Sequence, residues 1–161
     1  KRLANLKPRM TRAGLTNIYP ERISSEHDPR IARLAGKADR VLVDAPCSGL
    51  GTLRRNPDLK YRQSAETVAN LLEQQHSILD AASKLVKPQG RLVYATCSVL
   101  PEENELQVER FLSEHPEFEL VNCAELLQSL KIDLDTGKYL RLNSGEHQTD
   151  GFFATVLQRK D

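Results

Sequence analysis

Two apolar runs, each ending at a polar turn that contains a cysteine, constrain the fold of this chain more than any other feature. The first covers residues 41–51 and the second covers residues 92–98. Short apolar runs rich in β-branched side chains are typical of strands buried in a parallel sheet. Ligand-binding and catalytic groups of such sheets collect beyond the carboxyl ends of the strands. We therefore expect Cys47 and Cys97 to lie at one edge of a single sheet, with Asp44 beside the first.

The rest of the sequence predicts helices and strands that alternate along the chain. The predicted helices, marked by apolar side chains at helical spacing and by start and stop residues, are 1–13, 30–34, 64–86, 101–115 and 124–130. The predicted strands are 17–23, 40–44, 90–95, 118–121, 138–142 and 151–157. A turn is predicted at 87–90, where the second long helix should end. This order indicates an α/β fold with a mostly parallel sheet and an antiparallel edge.

Length and cysteine content restrict the class of protein. A chain of 161 residues suits one domain with a real hydrophobic core. No apolar stretch approaches the roughly 18 residues that a membrane span needs, so we expect no membrane partner. Three cysteines without a Cys-x-x-Cys pair argue against a disulfide framework or a zinc site. A reducing cytoplasm fits this pattern best, and no bound metal is expected.

Charge is distributed unevenly, although the formal net charge is only +1. The segment just after Cys47 is crowded with basic side chains, namely Arg54, Arg55, Lys60 and Arg62. A basic cluster next to a reactive edge indicates a polyanionic substrate. The alternative is an ordinary solvated surface, which charge alone does not exclude.

The residues of the predicted edge suit covalent chemistry on an electron-poor ring. A thiolate is a strong nucleophile that can add to such a ring carbon. Cys97 precedes the helix predicted to begin near Pro101, and a helix N-terminus would lower the thiol pKa. Asp44 ends an apolar strand and needs a polar partner, such as a cofactor hydroxyl or an amine. The alternative for either cysteine alone is a small core residue, which is what we expect of Cys123.

The sequence around both cysteines resembles a known family. Asp-Ala-Pro-Cys-Ser-Gly at 44–49 and Thr-Cys-Ser at 96–98 look like the two signature motifs of S-adenosylmethionine-dependent RNA 5-methylcytosine methyltransferases. Within that family, residues 53–60, 94–104 and 149–153 resemble the bacterial group of Sun or Fmu type that acts on small-subunit ribosomal RNA. The resemblance implies a partial Rossmann-like methyltransferase sheet, S-adenosylmethionine as the cofactor and ribosomal RNA as the partner.

The resemblance also implies a role for each motif residue. Cys97 would attack C6 of the target cytosine, and Cys47 would assist release of the enzyme from the methylated base. Asp44 would lie between the cofactor and the base and hydrogen-bond one or both. Phosphates near a flipped-out target base would be held by Arg54, Arg55 and Lys60.

Two features of the family are absent before Cys47: the glycine-rich cofactor loop after the first strand and the acid after the second. The resemblance therefore implies that residues 1–161 are the carboxy-terminal part of a methyltransferase catalytic domain, a single domain without its first two strands. The acid expected near the adenine end of the cofactor is then Asp28 or Glu26. The 17–23 strand would lack a neighbour, so we expect that segment to be mobile or re-docked. Alternatively, the open edge of 40–44 pairs with another copy of the chain.

Two other functions stay open at this point. The chain could be a non-catalytic RNA-binding module with vestigial cysteines, which predicts RNA binding without a covalent adduct. It could also be a thiol-redox protein, which predicts a disulfide between Cys47 and Cys97 under mild oxidant. The redox function leaves the basic segment unexplained. Even as part of a methyltransferase, the chain alone could lack activity.

Overall fold

The computed structural model describes residues 3–134 and 136–161. Its helices are α1 (Leu6–Arg12), α2 (Pro29–Ala32), α3 (Leu59–Arg62), α4 (Ala65–Ser83), α5 (Glu105–Glu114) and α6 (Cys123–Ser129). Its strands are β1 (Ala38–Asp44), β2 (Val86–Thr96), β3 (Phe118–Val121), β4 (Leu140–Leu142) and β5 (Phe152–Arg159). Short 3-10 turns cover Leu3–Asn5, Leu50–Thr52 and Pro101–Glu103. Helices and strands alternate as the sequence predicts, which confirms an α/β fold.

The strands form one sheet in the order β1-β2-β5-β3, and β4 also pairs with β5. β1 and β2 are parallel, whereas β5 is antiparallel to β2, β3 and β4. Four strands therefore run in one direction, but only one of the four pairings is parallel, so the sheet is mixed. β5 is antiparallel to β4 because the loop at 143–151 is too short for the crossover that a parallel return requires.

Helix α4 makes the crossover that joins the parallel strands β1 and β2. It begins where the hydroxyl of Ser64 accepts a hydrogen bond from the backbone N–H of Thr67, which caps the helix. α4 then contacts β1, β2 and α5. The largest fully buried apolar side chains of the resulting core are Leu79, Leu92, Tyr94, Phe111, Phe153 and Leu157. This core fixes the carboxyl ends of β1 and β2 side by side.

The prediction of a strand at 17–23 is wrong. That segment is irregular, and both Ile18 and Tyr19 are exposed. β1 is the end strand of the sheet, and Pro20 lacks the N–H that strand pairing needs. The following residues dock on α4 instead, where the Ser77 hydroxyl donates a hydrogen bond of 2.6 Å to Glu26. Pairing of the open β1 edge with a second copy stays a prediction.

The predicted turn at 87–90 lies inside β2. α4 ends at Ser83 and the strand already begins at Val86, so the helix is shorter and the strand longer than predicted. The turn signal corresponds to an irregular stretch of the strand, where the register with β1 shifts between Val86 and Arg91 and Gln89 adopts a left-handed φ of 62°. Within residues 3–134 and 136–161, no helix has the length and apolar character needed to cross a membrane.

Candidate active site

The two cysteine turns meet beyond the carboxyl ends of β1 and β2. Asp44 lies opposite Ala95 in the parallel register, so β1 and β2 end at the same edge of the sheet. The Sγ atoms of Cys47 and Cys97 are 3.4 Å apart, and both residues are half-buried free thiols. The structure thus brings together the two side chains that the sequence singles out. A ring carbon within reach of one sulfur would also be near the other.

The contact between the two sulfurs makes the thiols unequal. The hydrogen bond with Cys47 lowers the pKa of Cys97 to about 7, against opposing effects of burial and of the Asp44 and Glu103 charges. The same hydrogen bond, together with burial, raises the pKa of Cys47 above its ordinary range. The Cys47 thiol therefore retains its proton at a pH where Cys97 ionises, and it can then donate a hydrogen bond to the Cys97 sulfur. Of the two cysteines, Cys97 is therefore the one that ionises more readily, and the thiolate is the reactive form of a cysteine. The main cause of the lowered pKa is the nearby Cys47 thiol, and an effect of the helix N-terminus stays a prediction.

A contact between two glycines fixes the turn after Cys47. The N–H of Gly51 donates to the carbonyl oxygen of Cys97 at 2.9 Å, and the N–H of Gly151 donates to that of Gly51 at 2.7 Å. An added Cβ at Gly51 would lie only 2.3 Å from the Gly151 oxygen. Only glycine permits so close an approach of two backbones. Gly51 therefore joins the Cys47 turn both to the Cys97 turn and to the segment that leads into β5.

Behind the cysteines lies a fully buried carboxylate, that of Glu103. It accepts hydrogen bonds from the backbone N–H of Ser48 at 2.7 Å, from the Ser48 hydroxyl at 2.5 Å and from the Gln75 amide at 3.0 Å. The hydroxyl of Ser98 also donates to it. One carboxylate thus binds the residue after Cys47 and the residue after Cys97.

The neighbouring Asn104 holds the second cysteine turn from the other side. Its side-chain oxygen accepts a hydrogen bond of 2.5 Å from the Thr96 hydroxyl, and its amide donates to the Ser98 carbonyl at 3.1 Å. The Thr96 hydroxyl oxygen in turn accepts from the N–H of Ser98 at 3.2 Å. Thr96, Ser98 and Asn104 are all buried and so lose their contacts with water. The hydrogen bonds among them offset this cost of burial.

Glu103 is not among the site residues predicted from the sequence, because acidic residues are common in the first turn of a helix. Helical spacing could have identified it. Counting back from the buried Phe111 in steps of four reaches Gln107 and then Glu103, which places all three on the buried face. A carboxylate on a buried face needs several donors. The serines that follow the two cysteines supply three of the four.

Asp44 lies at the end of β1 with its side chain exposed. Among residues 3–134 and 136–161, no side chain or backbone N–H donates a hydrogen bond to its carboxylate. The carboxylate is close enough to Cys97 for its charge to raise that thiol's pKa. Asp44 is therefore a free acceptor next to the reactive sulfur, as a residue that contacts a cofactor or a base should be.

Asp28, one of the two acids expected near the cofactor adenine, serves as the N-cap of α2. Its carboxylate accepts hydrogen bonds from the backbone and hydroxyl of Ser24 and from the backbone and guanidinium of Arg30. The Arg30 hydrogen bonds hold the pKa of Asp28 well below its usual range. Both carboxylate oxygens are engaged locally, and a cofactor contact by Asp28 stays a prediction. In the part of the chain that the structure describes, no group of three His, Cys, Asp or Glu side chains could hold a metal ion.

The basic segment forms a surface next to the Cys47 turn. The guanidinium of Arg54 donates to the backbone oxygen of Gln148 at 3.2 Å, and Arg55 forms an ion pair with Asp150. The Lys60 ammonium lies 4.9 Å from the ring centroid of Tyr61, which is 81% exposed. α3 is tied to the cysteine turn because the Gln63 amide donates to the Ser48 carbonyl at 2.8 Å. We call Arg54, Arg55, Lys60 and Tyr61 the basic surface.

Known proteins with similar sequences and structures give the arrangement a context. Residues 1–158 match the model of the family described as 16S rRNA methyltransferase RsmB/F. The chain is 39% identical over 158 residues to the probable ribosomal RNA small subunit methyltransferase B of Synechocystis, which covers 98% of this chain and 35% of that protein. It is 38% identical over 163 residues to the probable methyltransferase of the same name from Bacillus subtilis, covering 96% of this chain and 35% of that one.

Solved structures share the fold of the chain. The structure of PH0851 superposes with a TM-score of 0.85 at 36% identity, over 98% of this chain and 34% of that one. The structure of NSun6 from Pyrococcus horikoshii with SFG superposes with a TM-score of 0.79 at 25% identity, over 99% of this chain and 39% of that one. The sheet is thus the Rossmann-like sheet of a methyltransferase, as predicted, and the chain spans about a third of the length of these relatives. With a family model matched along nearly its whole length, the chain belongs to the 16S rRNA methyltransferase RsmB/F family.

Proposed function

We propose that these residues carry the chemistry of an enzyme that transfers a methyl group from S-adenosylmethionine to C5 of a cytosine in small-subunit ribosomal RNA. The observation that carries the proposal is the 3.4 Å contact between the Sγ atoms of Cys47 and Cys97 at the carboxyl ends of two parallel strands. Family membership supports an RNA methyltransferase in general. The paired thiols support chemistry at C5 in particular, because that carbon becomes nucleophilic only after addition to the ring.

Cys97 performs the addition. Its thiolate forms a bond from sulfur to C6, and the electron pair of the C5–C6 double bond becomes available at C5. S-adenosylmethionine, when bound, would supply an electrophilic methyl group on a sulfonium sulfur. This methyl group would pass to the nucleophilic C5, and the electron pair of the broken methyl–sulfur bond would stay on that sulfur. A thiol pKa of about 7 leaves Cys97 substantially ionised at neutral pH.

Cys47 acts at the end of the reaction. Loss of the C5 proton to a base restores the double bond and expels the Cys97 sulfur from C6. Because the Cys47 thiol stays protonated, it can donate a hydrogen bond to the Cys97 sulfur and stabilise the departing thiolate. Removal of Cys47 should therefore slow release of the enzyme more than formation of the bond to C6.

Asp44 fits a cofactor or base contact. Its exposed carboxylate, beside the reactive sulfur, can accept a hydrogen bond from an amino or hydroxyl group. SFG, bound to the structural relative NSun6, is an analogue of S-adenosylmethionine, and this supports S-adenosylmethionine as the cofactor. Asp28 remains the second proposed cofactor contact, through water or after rearrangement of its cap.

The basic surface is the proposed RNA contact. Arg54, Arg55 and Lys60 supply positive charge beside the Cys47 turn, where phosphates flanking an extruded base would pass. Tyr61 adds an exposed aromatic face among these charges, and such faces stack on unpaired bases. Asp150 neutralises Arg55 in the free protein, so a phosphate would have to displace it.

The chain spans about a third of the length of its relatives, which supports the proposal that it is part of a larger catalytic domain. We infer that the chain is the carboxy-terminal, cysteine-bearing part of the catalytic domain, acting in the cytoplasm. Other segments of such a domain would complete the cofactor pocket.

Methyl transfer from labelled S-adenosylmethionine to small-subunit ribosomal RNA tests the proposal. Nucleoside analysis of the product should give 5-methylcytosine, and Cys97→Ser should abolish it. The matched control is Cys123→Ser, because Cys123 is buried far along the chain in α6 and has no assigned role. A different methylated nucleoside, or full activity of Cys97→Ser, would contradict the proposal.

A further inference from the structure

Glu103 is a buried charge without a cationic partner. Its relative exposure is 0%, and no ion pair among the described residues includes it. Burial of a carboxylate is costly unless donors replace the lost water. Four donors do so here, and three of them belong to the serines that follow the two cysteines. A chain that needed only to fill this space could use an apolar side chain.

The two oxygens of the Glu103 carboxylate accept hydrogen bonds from different kinds of donor. One oxygen accepts from N–H donors, those of Ser48 and Gln75. The other oxygen accepts from two hydroxyls, those of Ser48 and Ser98, which lie 3.2 Å from each other. Gln75 also donates to the Pro46 carbonyl at 2.9 Å, so the residue before Cys47 is held as well.

The position of Glu103 is itself fixed. Its backbone carbonyl accepts a hydrogen bond of 2.7 Å from the buried hydroxyl of Tyr94, on β2. The adjacent Asn104 binds Thr96 and the Ser98 carbonyl, as described above. Motion of either cysteine turn would therefore break charge-assisted hydrogen bonds, which are about twice as strong as neutral ones.

We propose that Glu103 is a positioning residue whose carboxylate, shared by Ser48 and Ser98, holds the Cys47 and Cys97 sulfurs in contact. This deepens the proposed function and rests on it for the use made of the cysteines. The contact itself can be measured without RNA or cofactor, so failure of this inference and failure of methyl transfer are distinguishable.

Phenylarsine oxide reports the contact, because one arsenic must bond to two nearby thiols and releases one water as it does so. The reduced chain should bind it, and Cys97→Ser should not bind it tightly. Glu103→Gln keeps the shape of the side chain but removes the charge and one acceptor. We expect it to weaken binding about tenfold or more. Glu102→Gln, the same change at the exposed neighbour, should leave affinity within about twofold.

A second measurement separates positioning from general stability. The midpoint potential of the Cys47–Cys97 thiol–disulfide couple is measured by equilibration with glutathione. In Glu103→Gln it should become less negative by about 30 mV for each tenfold decrease in the equilibrium constant for disulfide formation. Urea denaturation identifies variants that stay folded, and both measurements are made on those. A role in stability alone would lower the unfolding midpoint and leave affinity and potential unchanged.

Ser98→Ala provides the test if Glu103→Gln fails to fold. It removes one donor to the carboxylate and should weaken phenylarsine oxide binding too. If both variants fold, their combined effect should be smaller than the product of the single effects, because both act on one hydrogen bond. Folded Glu103→Gln or Ser98→Ala chains that bind the arsenical as tightly as Glu102→Gln would overturn the proposal.

Discussion

Replacing Gly51 with alanine should destabilise the chain and separate its cysteine turns. An added Cβ would lie 2.3 Å from the carbonyl oxygen of Gly151, 2.8 Å from its carbon and 2.7 Å from the Cys97 oxygen. All three are backbone atoms, so no side-chain rotation can relieve the contacts. The hydrogen bonds that join Gly51 to Cys97 and to Gly151 would have to lengthen or break.

The magnitude follows from these contacts. Overpacking in a close-packed region costs about 1–3 kcal/mol, and each weakened hydrogen bond costs about 0.5–1.5 kcal/mol. We expect Gly51→Ala to lower the free energy of unfolding by about 2–4 kcal/mol. That is a large part of the roughly 5–15 kcal/mol that stabilises an ordinary domain.

Urea denaturation followed by circular dichroism measures this change. The matched control is Gly145→Ala, because a Cβ there would meet only the Asn143 side chain at an ordinary 3.5 Å. We expect the control to change the free energy of unfolding by less than about 0.5 kcal/mol. Equal unfolding midpoints for the two variants would refute the reasoning that the backbone around Gly51 cannot shift to accommodate a Cβ atom.

Three further predictions concern the reactive edge. The rate at which iodoacetamide alkylates Cys97 should rise with pH around a midpoint of about 7, because only the thiolate reacts. Cys47→Ala removes the donor and should raise that midpoint toward about 8.5, so an unchanged midpoint would contradict the assignment. Asp44→Ala should abolish calorimetric binding of S-adenosylmethionine, and binding as tight as that of the unaltered protein would exclude Asp44 as a contact. Tyr61→Ala should weaken binding of single-stranded RNA by about 1–3 kcal/mol while Tyr61→Phe does not, as measured by fluorescence anisotropy at fixed salt; equal affinities would exclude stacking.

The juxtaposition of the cysteines was predictable because it depends on strand direction, not on distant contacts. Parallel neighbours end at one edge, so two apolar runs that stop at polar turns bring those turns together. Local pattern identified β3 with its observed bounds, Phe118–Val121.

Local pattern failed where tertiary contacts decide the outcome. Residues 17–23 have strand-like composition, yet they pair with nothing, because no strand lies beyond β1 in the sheet. The turn signal at 87–90 became an irregular stretch inside β2, because pairing with β1 on either side of it, at Val86 and from Arg91, keeps the strand continuous. The role of Glu103 depends on donors from residues 48, 75 and 98, which no local window contains.

Trapping of a covalent RNA adduct tests the central claim most directly. Cys47→Ser protein, incubated with S-adenosylmethionine and small-subunit ribosomal RNA, should form a complex that survives denaturing electrophoresis. Adding Cys97→Ser to that variant should abolish the complex. A stable adduct in the double variant would contradict the assignment of Cys97 as the nucleophile. No adduct with either protein, while RNA still binds, would favour a non-catalytic RNA-binding module.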